Sequence, residues 1–417
     1  MHIKFDKTRN DIIQQLPAPD LALRGMLRLA TLCVVGAAAL PAAAQISDTV
    51  HPYALASINH DDNLLRLADN AQGERSDTYK SVEAGLLLER PIGRQVLTGR
   101  LKATRVTFDR YDQLNYNGKE AEGTLEWHIY NHLEGHIGAN YSETLAPYVD
   151  FHVAERNLRV HRREFFDGAW LLHPSWKLRS AWSRDRYLYN LASQKFNNRN
   201  EDIAEAGVDY LPSTTSSVGV RLRRVTGTYV DRNGFTSFFA DNGYEQNEAK
   251  ANVNWVISGA SRLQFLGGYV RRKHAVFSIR DESGFNGRLV YDWMPRAKLQ
   301  LNTTVWREFA AVEGSVLNSS LNKGVSVNAA YELSSKVSAT AGARTERRGF
   351  SAIPGVSTAG LDLNDSMRST SVGLSYAPLK QLRLDLSGYH ESRTGNVLVG
   401  TNSYKANGIS LNVTAQF

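Results

Sequence analysis

A chain of 417 residues, 42% hydrophobic and 22% charged, has room for two or three ordinary domains or for one large β-domain. Its formal charge of +7 is modest, and no basic tail, zinc-ligand spacing or basic helix accompanies it, which sets nucleic acid aside as a partner. A mean hydropathy of −0.37 suits a soluble protein and equally a membrane barrel with a polar inner face.

The first 25 residues are polar. Arg24 and Arg28 then precede the apolar run LATLCVVGAAAL, and PAAAQ closes it with small residues suited to cleavage after Ala44. Residues 1–44 read as a signal peptide, with Met26 as an alternative start that would leave 1–25 untranslated. Cys33, the one cysteine, falls inside this segment, and Leu32 is too bulky a neighbour for lipoprotein processing. The mature chain, 45–417, then has neither a disulfide nor a thiol nucleophile. It also has no apolar run of about 18 residues, so no helix is available to cross a membrane. An exported chain of this kind is periplasmic, secreted or an outer-membrane barrel.

DTVHPYALASIN (48–59) has the composition of a first strand, and residues 60–77 form the loop after it. The loop opens with Asp61, Asp62 and Asn63. Adjacent carboxylates on a strand point to opposite faces, so they converge only if a loop turns them together. A polar strand end with Asx-type turns explains them better than a calcium site or an acid/base pair.

From there, short turn signals recur about every 40 residues: RPIGR (90–94), YNHL (130–133), HPSW (173–176), LPST (211–214), ISGAS (257–261), MPRAK (294–298), LSSK (333–336) and APLK (377–380). Longer polar stretches alternate with them, such as 229–243 and 349–365. The segments between alternate with period two. In KANVNWVI (250–257), Ala251, Val253, Trp255 and Ile257 oppose Lys250, Asn252 and Asn254; GVSVNAAYEL (324–333) and ISLNVTAQF (409–417) repeat the pattern. An aromatic residue on the apolar face precedes nearly every short turn: Trp127, Trp170, Tyr210, Trp255, Trp293, Tyr331 and Tyr376, with Phe417 at the end of the chain. Rings at one height are expected at a membrane–water interface. Counting hairpins gives about 18 strands, an even number with both termini on the short-turn side. The fold expected is all-β: a transmembrane antiparallel up-and-down β-barrel with short periplasmic turns and longer extracellular loops. A soluble sandwich or propeller would need its apolar faces to meet in a core, which fits aromatics confined to one set of turns badly.

Charge is then assigned to the lumen, because a lysine or arginine facing mid-bilayer lipid costs ~2–4 kcal/mol. Upward strands carry Arg100, Lys102 and Arg105; Arg179, Arg184 and Arg186; Arg221, Arg223 and Arg224; Arg271, Arg272 and Lys273; Arg344, Arg347 and Arg348. Downward strands carry Glu122, Glu126, Glu201, Glu205, Asp209, Glu245 and Glu248. Cross-strand ion pairing accounts for part of this pattern. The remaining cations form a candidate lumen band for an anionic ligand: Arg100, Lys102, Arg179, Arg221, Arg223, Arg272, Arg344, Arg348, Arg383 and Arg393. A narrow low-dielectric channel focuses such a field. Arg224 and Arg271 break the inward phase and call for a bulge or a position above the lipid. The histidines, among them His128, His136, His274 and His390, are scattered. No GxSxG, HExxH, P-loop or paired CxxC is present, so neither catalytic residues, metal nor cofactor is expected.

The segment DDNLLRL, with Asp61, Asp62, Asn63 and Arg66, resembles the opening of the outer-membrane barrel family found in exopolysaccharide loci, the EpsL-type proteins associated with exosortase B systems. DTVHPYA, DTYKSVEAGLLLERPIGRQ and the terminal strand share the resemblance, which covers essentially the whole mature chain; Leu65 stands where an aromatic is more usual. The resemblance implies an outer-membrane barrel that takes part in exopolysaccharide biosynthesis or export, as a polar conduit or docking element beside periplasmic export components. Two rival readings stand against it: a general diffusion porin, marked by an inward-folded loop, and an outer-membrane hydrolase or lipid-modifying enzyme.

Overall fold

The computed structural model describes residues 49–417 apart from 74, 149–151, 233–241, 277, 312–318, 351–362 and 396–400. The signal-peptide segment, 1–44, lies outside the described residues.

Eighteen antiparallel strands follow one another: β1 (Val50–Asp61), β2 (Asp77–Ile92), β3 (Gln95–Phe108), β4 (Tyr116–Ile129), β5 (Leu133–Leu145), β6 (Leu158–His173), β7 (Trp176–Tyr189), β8 (Arg199–Tyr210), β9 (Ser217–Tyr229), β10 (Gly243–Ser258), β11 (Ser261–His274), β12 (Glu282–Arg296), β13 (Leu299–Ala311), β14 (Ser319–Glu332), β15 (Val337–Phe350), β16 (Asn364–Leu379), β17 (Leu382–Thr394) and β18 (Tyr404–Gln416). Each pairs with the next, and β1 pairs with β18 from Tyr53↔Gln416 to Asp61↔Gly408, so the sheet closes on itself. Closure leaves no edge strand with unpaired backbone groups. The expected up-and-down barrel of 18 strands is what the chain forms.

The short turns lie at one end, where β1 begins and β18 ends: the Phe417 amide donates to the Pro52 carbonyl. Between Ile92 and Gln95 the chain reverses in two residues, and Gly93 supplies the left-handed φ of +63° that this requires. At the opposite end β1 runs further than its sequence suggests. His60 and Asp61 pair with Thr78 and Asp77, so the first long loop spans 62–76 rather than 60–77.

Alternation separates two faces. On β17, Arg383, Asp385, Ser387, Tyr389, Glu391 and Arg393 share one side; Leu384 and Leu386 share the other. The apolar side is the exposed one: Val372 is 65% exposed, Leu222 61% and Leu101 55%. The polar side crowds on itself, with Asp209, Arg221, Glu248, Lys250, Asp365 and Arg393 all buried. Buried charge on the concave face and bare aliphatics on the convex face invert a soluble protein, and they are what lipid outside and water inside require. Trp170, Tyr210, Trp255, Trp293, Tyr331, Tyr376 and Phe417 are exposed near the short-turn end. Trp127 stacks on Phe166 at 5.9 Å between ring centres.

Irregular register occurs between Val256 and Ser258, Trp293 and Arg296, Leu171 and His173, and Tyr376 and Leu379. All four lie beside short turns. The inward/outward phase therefore runs unbroken to the long-loop end of every strand.

Candidate functional site

The loop opened by Asp61, Asp62 and Asn63 folds inward and is fastened on both sides of the barrel seam. Asp61, the last residue of β1, is inward-facing and buried. Its carboxylate accepts from Arg66 Nη1 at 2.9 and 2.8 Å and from the Asn63 amide at 2.8 Å. The Asn63 contact is the Asx turn that the sequence suggests. Arg66 also donates to the Tyr389 hydroxyl at 2.7 Å and to Glu391 Oε1 at 3.2 Å, both on β17. The Tyr404 hydroxyl on β18 donates to the same Glu391 oxygen at 2.7 Å. Burial works against the Arg66 charge; Asp61, Tyr389 and Glu391 outweigh it and hold the guanidinium proton more firmly than usual. To complete this geometry Arg66 adopts a φ of +54°, a left-handed conformation rare outside glycine. Asp62 takes the opposite face and binds Asn407 of β18, accepting from its backbone amide and its side-chain amide at 2.7 Å each. Asn63 completes the fastening by donating to the carbonyls of Leu67 and Lys405.

Leu64 and Leu65 carry the loop the other way. They pack with Val106 and Phe108 on the inner face of β3, with Leu114 from the second long loop, and with Tyr148 from the third. An apolar cluster thus lines the inner wall at the long-loop end of β1 to β5. The motif Asp61, Asp62, Asn63 and Arg66 is a strap holding this loop to the closing strands. Two opposite-facing carboxylates, each engaged by its own partners, form no acid/base pair, and among the described residues no group of three His, Cys, Asp or Glu is placed to hold a metal ion.

Below the strap, the inner wall is a ladder of ion pairs. Arg100 meets Glu122 at 2.6 Å, and Lys102 meets Glu120 at 2.8 Å and Glu83 at 3.4 Å. Asp209 takes both Arg179 and Arg221 at 2.7 Å. Glu248 takes Lys250, with Arg223 at 3.9 Å. Arg344 meets Glu346 at 2.6 Å, and Trp306 Nε1 donates to the same carboxylate at 3.0 Å. Asp365 takes Arg348 at 2.7 Å as well as Arg393. Arg383 reaches Asp385 at 2.8 Å. Arg272 donates to Gln246 at 2.8 Å and lies over the Tyr244 ring. All ten cations expected on the lumen wall stand in the inward phase, distributed around the barrel rather than gathered into one cluster. Asp209 and Asp365 each hold two arginines; the sequence marks Asp209 only as one of several pairing acids, and nothing in its own segment marks Asp365.

Other cations assigned to lumen pairing by sequence stand outside it. Arg105, Arg184, Arg186, Lys273 and Arg347 occupy outward positions, because the register is unbroken at the long-loop end of their strands; Arg224 and Arg271, whose phase already sets them apart in the sequence, are outward as well, by position above the lipid and not by a bulge. The pairs Arg184–Asp202 and Arg224–Glu245, at 2.6 and 2.8 Å, are on the outer surface. Histidine–carboxylate contacts include His128–Glu126 at 3.7 Å, His136–Asp167 at 3.1 Å and His161–Asp185 at 2.8 Å, on the inner wall.

The family model described as "Putative beta-barrel porin 2" matches residues 246–417, from within β10 to the end of the chain. No curated protein matches the sequence. Among solved structures, Pseudomonas aeruginosa OccK2 (OpdF) is similar with a TM-score of 0.50 and 10% identity, over 88% of this chain and 97% of its own. Acinetobacter baumannii OccAB3 is similar with a TM-score of 0.47 and 11% identity, over 89% of this chain and 100% of its own. The likeness to OccK2 is one of fold. Together with the closed sheet, the apolar convex face and the match over the C-terminal strands, it identifies the chain as a β-barrel of the Gram-negative outer membrane.

Proposed function

We propose that this barrel is a diffusion channel for small hydrophilic solutes. The observation that carries the reading is the inner wall: beyond the apolar cluster at the mouth it is lined by charged and polar side chains, most of them paired with one another, with a strapped loop folded against one side of the mouth. Self-paired charges give a wetted wall without a deep trap for any one ion, which is what passage without retention needs. The inward-folded loop is the feature that distinguishes a diffusion porin from a polymer conduit among the readings open to the sequence. The experiment is planar-bilayer recording of the purified, refolded chain. It should give steady ohmic steps and weak selectivity, and liposomes containing it should swell in small sugars. A folded barrel that conducts nothing would overturn the proposal.

Exopolysaccharide export is a second reading, supported by the resemblance of the DDNLLRL opening and the hairpin series. A lumen wall most of whose cations already hold carboxylates offers an anionic polymer fewer free charges than the sequence suggests. Deleting the gene should lower cell-free polysaccharide if export is the role; unchanged export with lost solute uptake would leave the channel reading.

A further inference from the structure

The convex face carries a second charge pattern, independent of the lumen. Near the long-loop end of β2 to β10, outward cations are mostly matched by outward acids: Lys80 with Asp109 at 2.6 Å, Arg184 with Asp202 at 2.6 Å and Arg224 with Glu245 at 2.8 Å. Around β11 to β16 the matching stops. Arg271, Lys273, Arg307, Lys323, Arg347 and Arg368 occupy outward positions there, and no outward position of these strands is acidic; the outward acid beside them is Glu245 on β10, opposite Lys273 and already held by Arg224. Among the described residues none of the six has a salt bridge. Arg307 stands directly opposite Lys323, and Lys323 directly opposite Arg347. Three like charges abreast repel one another, so the fold gains nothing from the row by itself. Arg307 Nη1 is buried without a hydrogen-bond partner among the described residues.

Height says what lies beside them. Lys323 precedes Tyr331, and Arg368 precedes Tyr376, by eight residues each. Both tyrosines belong to the exposed aromatic row near the periplasmic turns. Eight residues at ~3.3 Å on a strand tilted ~40° rise about 20 Å. An apolar band is ~25 Å tall, so the backbone of the row stands about 5 Å short of its upper edge, and the long lysine and arginine side chains reach up from there to the headgroups of the outer leaflet.

We infer that the outward face of β11 to β16 docks phosphate-bearing lipid headgroups of the outer leaflet, several cations sharing each phosphate. Guanidinium and ammonium groups suit this anion, arginine through paired N–H donors. The site lies on the outer wall and does not depend on what the lumen conducts.

The test uses the purified full-length mature barrel in neutral detergent, with native mass spectrometry reading bound lipid. The probes are hexa-acylated lipid A with two phosphates, the same lipid stripped of both, and inorganic phosphate as competitor. The bisphosphorylated lipid should be retained at least tenfold more than the stripped one, and millimolar inorganic phosphate should not displace it. K323Q/R347Q/R368Q should lose most of that preference, while K119Q/R184Q, on the matched side, should keep it. Equal retention of the two lipids by the wild-type barrel would overturn the inference and needs no variant. So would displacement by inorganic phosphate, an unchanged preference in the folded triple variant, or a dimer that the triple variant abolishes without any dependence on lipid.

Discussion

Replacing Arg66 by methionine tests the strap directly. Methionine keeps an apolar stem of similar reach and removes the guanidinium. That deletes the two-pronged contact to Asp61, the donation to the Tyr389 hydroxyl and the bond to Glu391. Asp61 has a side chain only 7% exposed, and it would keep the Asn63 amide and the Tyr389 hydroxyl, the latter at 3.1 Å. Breaking a buried pair from one side typically costs ~3–5 kcal/mol; with two hydrogen bonds retained, the lower end, ~3 kcal/mol, applies. The loss falls on the loop, so the measurement is hydrogen exchange of the amides from Asn63 to Leu67 in the folded barrel. At ~1.4 kcal/mol per tenfold, exchange should rise ~10²-fold. The double variant D61N/R66M removes the stranded charge and should recover most of that loss. Exchange unchanged within threefold in R66M, or a double variant more open than either single, would refute the reasoning. Channel noise should rise in parallel as the loop leaves the wall.

Facing is tested by a neighbouring pair on β16. Val372 is outward and mid-height, so V372R should destabilise the folded barrel in lipid by ~2–4 kcal/mol, whereas S371R, one residue away on the inner wall, should fall within about ±0.5 kcal/mol; equal costs in urea unfolding from vesicles would contradict the assignment. D209N removes the carboxylate that Arg179 and Arg221 share, leaving Arg221 with Glu205 at 3.5 Å, and the reversal potential in a salt gradient should move toward anion preference. G324A brings a Cβ to 2.2 Å from the Trp306 ring and 2.7 Å from the Thr345 carbonyl oxygen. Overpacking of this kind costs ~1–3 kcal/mol, read as a lower unfolding midpoint.

Strand number, closure and the two-faced alternation were legible in sequence because each rests on local periodicity. Turn chemistry marked the hairpins, and apolar residues two apart marked the lipid face. The partners of Arg66 were not legible. Tyr389 and Glu391 lie more than 320 residues away and reach Arg66 only because closure sets β18 beside β1. Nor was the apolar cluster at the mouth, since Leu64 and Leu65 sit in a segment whose carboxylates and amides read as solvated loop. The acidic opening suggested chemistry; closure turned it into a fastening.

The misplacement of Arg105, Arg184 and Arg347 has one physical cause. Lipid was taken to forbid outward charge along the whole strand, but the prohibition depends on depth. Strands of 12–16 residues exceed the ~9–11 that a tilted strand needs to cross the hydrocarbon. Their upper residues therefore stand clear of it. On β9 the outward sequence from the short-turn end is Val218, Val220, Leu222 and then Arg224; on β14, read the same way, it is Tyr331, Ala329, Val327, Val325 and then Lys323. Charge begins six to eight residues above the turn, on strands with no sequence in common. At ~3.3 Å per residue and ~40° tilt, that is an uncharged belt of about 15–20 Å, with the wider girdle-to-headgroup span set by the long side chains above it. Outward arginines are thus a depth gauge: their first appearance marks where each strand leaves the oil, and an arginine introduced below that line should cost far more than one already standing above it.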